Sequence, residues 1–98
     1  MERPTSKYSV LVDDNFHYMD ESERYSAGEF DTCADAIEKC KRIVDDFLLA
    51  GHKPSMTAKQ LMEMYTSFGD DPFIVSQDPG CSFHAWDYAR QRCEELCR

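Results

Sequence analysis

The densest group of potential ligand atoms in the chain is Asp13, Asp14 and His17, with Asp20 and Glu21 just beyond. Two carboxylates and an imidazole form a donor set that a divalent cation could accept, and Asp70 and Asp71 would approach them if the strands carrying the two groups were neighbours. The spacing matches no calcium or zinc loop, and acidic loops commonly just face water. Asp13, Asp14 and His17 therefore stand as metal candidates only, and no cofactor is expected. A second group is Cys81-Ser-Phe-His84. A thiol and an imidazole near a helix N-terminus could make an activated nucleophile, but no third orienting group and no oxyanion hole can be named beside them. Cys93 and Cys97, four apart on a helix with His84 upstream, raise the question of zinc, yet the second closely spaced pair that structural zinc uses is missing. Cys33, Cys40, Cys93 and Cys97 instead fall on apolar stripes, where a free Cys behaves as a small hydrophobe. No catalytic residue is assigned. Phe16, His17 and Tyr18 remain as candidate binding residues, because aromatic side chains in an otherwise polar loop suit an interface.

The elements that must position these groups are readable from periodicity. Residues 1–6 carry Pro4 and no pattern, so they are expected to be a loose leader. Tyr8, Val10 and Val12 alternate with Ser9, Leu11 and Asp13, the period-2 signature of a strand with one buried face. The polar stretch from Asp14 to Glu23 is a long connection, and Arg24 to Phe30 resumes extended character with Gly28 marking a bulge or a close backbone approach. Antiparallel pairing of these two strands is the economical topology. Thr32 then caps a helix, with Asp35 three residues on as a weak capping-box partner, and Cys33, Ala36, Ile37, Cys40, Ile43, Val44 and Phe47 form its apolar stripe. Gly51 and Pro54 end it. A second helix starts at Thr57 with Gln60 as its reciprocal partner and Met56 stapled to Leu61; Ala58, Leu61, Met62, Tyr65 and Phe68 share its face, and Gly69 closes it. Asp70-Asp71-Pro72 reads as a turn into a short edge strand, Phe73 to Val75. Gln77-Asp-Pro-Gly80 is a turn with Pro fixing one dihedral and Gly accepting a positive one. Trp86, Ala89, Cys93, Leu96 and Cys97 repeat at helical spacing. The expectation is a single α+β domain over residues 7–98, ordered β-β-α-α-β-α, with a small, mainly antiparallel three-stranded sheet packed against helices.

Bulk properties narrow the function classes. A chain of 98 residues, 42% hydrophobic and 12% aromatic, suits one core. Nineteen acidic against 11 basic side chains give a formal charge of -8, which repels phosphate backbones and anionic bilayers, so neither nucleic acid nor a membrane is an expected partner. Apolar runs are far too short to span a bilayer, and nothing after Met1 reads as a secretory leader. Five cysteines without such a leader are most simply reduced thiols in the cytoplasm.

Val12-Asp-Asp-Asn-Phe-His-Tyr-Met-Asp-Glu21, Gly28-Glu-Phe-Asp-Thr32 and Ala85-Trp-Asp-Tyr-Ala89 together resemble a family of small bacterial proteins of uncharacterised function. That resemblance covers nearly the whole chain and implies a bacterial single-domain protein, with no activity or site residues attached. The reading is a noncatalytic protein-binding or regulatory module of the cytoplasm, working through a sheet edge or the aromatic loop, with self-association as one form. The alternatives are a small enzyme using Asp13, Asp14 and His17 with a metal, or Cys81 and His84 as a thiol pair, and an acidic mimic of a nucleic acid. The mimic is weakened by Lys39, Lys41, Arg42, Arg90 and Arg92, which interrupt the negative track.

Overall fold

The structure, a computed structural model, describes residues 8–17 and 24–97. The expected leader over residues 1–6 lies outside them. Strand β1 (Tyr8–Asp14) leads into a short 3-10 turn (Asn15–His17), followed by β2 (Tyr25–Phe30), α1 (Cys33–Gly51), α2 (Ala58–Phe68), β3 (Asp70–Ser76) and α3 (Ala85–Leu96). The order is β-β-α-α-β-α, and the fold is α+β. The strands form one antiparallel sheet in the order β2-β1-β3, which leaves β3 at an edge.

Alternation in β1 works as its sequence implies. Val10 and Val12 are fully buried, while Ser9, Leu11 and Asp13 lie on the opposite face. Gly28 sits at a bulge: Val10 pairs with Gly28 but Leu11 pairs with Ser26, so β2 carries one extra residue there. Its φ of 131° is a conformation that side chains strain to adopt, which is why the bulge falls on a glycine.

Helix α1 serves two cores along its 19 residues. Ala36 and Cys40, in its first half, pack with Tyr8 and Val10 of the sheet. Val44 and Leu48, further along, join Leu61 and Tyr65 of α2 and Ala85, Ala89 and Cys93 of α3. These buried α1 residues recur every four positions, so one face gradually rotates from sheet to helices. Phe83 packs against both clusters and joins them. Thr32 accepts from the Asp35 N–H at 3.1 Å. At α2 the full capping box is present, with Gln60 N–H donating to Thr57 Oγ1 at 3.1 Å and Thr57 N–H donating to Gln60 Oε1 at 2.9 Å.

Four expectations need correction. Strand β3 starts at Asp70, so Asp70-Asp71-Pro72 is strand rather than turn. The extension of β1 to Asp14 supplies partners for it, Asn15 N–H donates to the Gly69 carbonyl at 2.9 Å, and Pro72 is tolerable because an edge strand does not need every N–H. Gly51 is the last helical residue of α1, with extended His52 as the cap. In the 77–80 turn it is Asp78 that organises the backbone, accepting from Gly80 N–H at 2.9 Å, and Gly80 has no positive φ. Most consequential, the cysteines are not all free. Cys33 and Cys81 form a disulfide with their Cα atoms 5.9 Å apart, tying the start of α1 to the loop before α3. Cys40 and Cys93 are buried free thiols, as packing residues should be.

Candidate functional site

The pairing of β1 with β3 brings together what the sequence only suggested could meet. Asp13 lies opposite Asp71 and Asp14 opposite Asp70 at one end of the sheet. Successive strand residues point to opposite faces, so the four carboxylates form two pairs rather than one cluster. On one face, Asp13 accepts from Arg24 Nε at 2.6 Å and from Arg24 Nη2 at 3.3 Å, and the guanidinium lies over the Phe73 ring, 5.1 Å from its centroid. Asp71 shares that face. Burial, reinforced by the charge of Asp13, raises its carboxyl pKa to about 6. Asp71 has no hydrogen-bond or ion-pair partner among the described residues. On the other face, Asp14 Oδ1 accepts from Phe16 N–H at 2.8 Å and so holds the 3-10 turn. Asp70 is pushed up by burial and by Asp14, and the Tyr25 hydroxyl is pushed up by burial and by Asp70 and Asp14. This end of the sheet concentrates negative charge in partly desolvated positions.

Immediately beside it stands an aromatic pair. Phe16 and Phe68 stack with ring centroids 5.5 Å apart and planes 23° from parallel, although they are 61% and 58% exposed. Their support is rigid. Asn15, only 7% exposed, donates from Nδ2 to the Tyr65 carbonyl at 3.0 Å, and the buried Tyr65 hydroxyl donates to the Asp70 carbonyl at 2.6 Å. Gly69 has to lack a side chain here, because a Cβ would meet the Tyr65 ring at 2.5 Å and the Tyr65 carbonyl at 2.8 Å. The Asn15-to-Phe16 turn is thus held to the end of α2 by the buried Asn15–Tyr65 bond and the Asn15 N–H to Gly69 carbonyl bond, with the partly buried Tyr65–Asp70 bond tying α2 to β3, and the two rings are presented from fixed backbone.

A groove of about 590 Å³ opens next to the same carboxylates. Asp13, Asp71 and Phe73 of the sheet line it with Arg24, the residue before β2, and the other wall is Phe83 and His84 of the preceding loop with Ala85, Trp86 and Asp87 at the start of α3. Trp86, which the periodicity assigns to the buried stripe of α3, is 40% exposed and faces this groove; Ala85, Ala89 and Cys93 carry the buried face instead. The Cys33–Cys81 bond fastens the loop from which that wall springs.

The other sequence candidates fare as follows. Asp13 and Asp14 are successive residues of β1 on opposite faces of the sheet, and among the described residues no group of three or more His, Cys, Asp or Glu side chains could hold a metal ion. Tyr18, Asp20, Glu21 and the side chain of His17 lie outside the described residues. Cys81 is bonded to Cys33, so in this form it offers no thiolate to His84, and the thiol-nucleophile arrangement is not assembled. Cys40 and Cys93 are pushed up to about 12 and about 11, chiefly by burial, which leaves them protonated and inert. Tyr88 is structural: its hydroxyl donates to Asp45 Oδ2 at 3.0 Å and Arg92 Nε donates to Asp45 Oδ1 at 2.9 Å, tying α3 to α1. Sequence reasoning missed Phe68, Phe73 and Arg24, and it weighed Trp86 as a ligand wall with Tyr88 and Tyr65 but favoured a core role for it. Phe68 carried the one available signal, as the last apolar residue of its stripe, where a helix face outruns its core.

Comparison of the chain with protein-family models, with curated proteins and with solved structures finds no match. Among the described residues no helix is long and apolar enough to cross a membrane.

Proposed function

We propose that this chain is a noncatalytic protein-binding or regulatory module that docks through the end of the sheet around Phe16 and Phe68. The observation that supports this reading is the exposed, stacked Phe16–Phe68 pair held on a backbone fixed by one buried and one partly buried hydrogen bond. Exposed rings on rigid supports lose little entropy when a partner covers them, and aromatic side chains are enriched at interfaces. A bare requirement for stability would bury such rings instead. The partner is a protein, and a second copy of this chain is one form it can take. Nucleic acid is disfavoured by the formal charge of -8.

The test is sedimentation velocity across a concentration series, with cross-linking of the protein in its native host, for the wild type and for Phe16→Ser combined with Phe68→Ser. Loss of association or of the cross-linked species, with the melting temperature kept, supports the docking surface. Unchanged association and cross-linking in the double variant refutes it. The cytoplasmic setting expected from the sequence and a closed Cys33–Cys81 bond are in tension, because reducing compartments keep thiols open. Alkylation of thiols at the moment of lysis decides between them.

A further inference from the structure

We propose that the groove between the sheet and α3 receives an arginine side chain of the partner segment that docks on Phe16 and Phe68. The inference rests on the docking reading above and names the chemistry the partner must bring.

One half of the groove already shows how a guanidinium is held there. Arg24 lies over Phe73 while two of its nitrogens meet the two oxygens of Asp13, at 2.6 and 3.3 Å. The other half repeats the ingredients with no cation in place among the described residues. Asp71 stands on the same sheet face as Asp13 and has no partner among the described residues, and Trp86 and Asp87 project from the facing helix. Among the described residues Asp87 pairs with Arg90 alone, at 3.5 Å on the exposed surface. A carboxylate beside an aromatic face is the arrangement that suits a planar, weakly hydrated guanidinium better than an ammonium, since it can both stack and donate two parallel hydrogen bonds.

Charge balance points the same way. Asp13, Asp71 and Asp87 face the groove against Arg24. Burial and the neighbouring Asp13 make the ionised form of Asp71 costly, and an incoming cation offsets that cost by supplying the opposite charge. Position links the groove to the aromatic pair, because Asp71 lies three residues from Phe68 and Asp13 three from Phe16. A partner segment with an apolar side chain on the rings can therefore place a neighbouring arginine in the groove.

The chain's single tryptophan is the natural reporter, since Trp86 lines the groove. The probe is acetyl-Phe-Gly-Arg-amide, with the same peptide carrying neutral citrulline as control. The arginine peptide should change Trp86 emission saturably, with the citrulline peptide about tenfold weaker, the size of one charge-assisted contact. Asp71→Asn should weaken the arginine peptide severalfold and leave the citrulline peptide unchanged. Equal response to the two peptides, no saturable response up to roughly 10 mM, or an unaltered response in Asp71→Asn would overturn the proposal. If the double phenylalanine variant loses association while the peptide series fails, the docking surface stands and only the arginine pocket falls. If the peptides behave as expected while that variant associates normally, the pocket stands and the docking reading falls.

Discussion

The Cys33–Cys81 bond gives the largest single effect that can be worked from this fold. Its ends are 48 residues apart in sequence, and cross-linking a loop of that length removes about 14 cal/mol/K of chain entropy from the unfolded ensemble, or roughly 4 kcal/mol at 25 °C. A chain of 98 residues gains about 0.2 kcal/mol/K of entropy on unfolding near its midpoint, from about 2.1 cal/mol/K per residue. Dividing the two, opening the bond should lower the melting temperature by about 20 °C. The perturbation is a dithiol reductant on the wild type and, separately, the Cys33→Ser and Cys81→Ser double variant. Circular dichroism follows the unfolding, and mass spectrometry after alkylation counts thiols. Oxidised protein should expose three reactive cysteines on unfolding and reduced protein five, from one bond among five cysteines. The serine variant should melt with the reduced wild type and be indifferent to reductant. Five alkylatable thiols in protein handled without reductant, or a midpoint that moves by less than about 5 °C on reduction, would refute the reasoning.

Three further predictions address the site and its supports. Asp71 titrates near 6 in the fold against an ordinary 3.8, so its contribution is fully favourable below about pH 4 and is lost as pH rises through about 6; Asp71→Asn should be about 1 to 2 kcal/mol more stable than wild type at pH 7 and no more stable at pH 3.5, and urea midpoints showing a less stable variant at pH 7 would contradict this. Tyr88→Phe leaves Asp45 with Arg92 but removes the hydroxyl at 3.0 Å, for an expected loss of about 1 kcal/mol in chemical denaturation. Thr57→Ala removes the half of the α2 capping box that Thr57 Oγ1 supplies and leaves the bond from the backbone N–H of residue 57 to Gln60, and should cost about 1 kcal/mol, with hydrogen exchange accelerating first at the start of α2.

What the chain declares in one dimension is everything governed by local period and local chemistry. The alternation of Tyr8, Val10 and Val12 and the caps at Thr32 and Thr57 each depend on neighbours a few residues away, so their outcome is written beside them, whereas Gly28 marks a bulge only once β2 is paired with β1. The site is of the other kind. Whether Asp71 meets Asp13 depends on which strand pairs with β1, and whether Trp86 or Ala85 faces the core depends on the rotation of α3 against α1 and α2. Periodicity cannot choose between adjacent helical residues when the true buried face is set by Ala85, Ala89 and Cys93, small side chains that allow close approach. The disulfide has the same origin: Cys33 sits on a stripe that reads as apolar filler, and only the path of the 77–84 loop over the start of α1 brings Cys81 to it. Segments reveal their shape through repeating patterns, but contacts between segments are decided by packing, where total burial and charge are settled together.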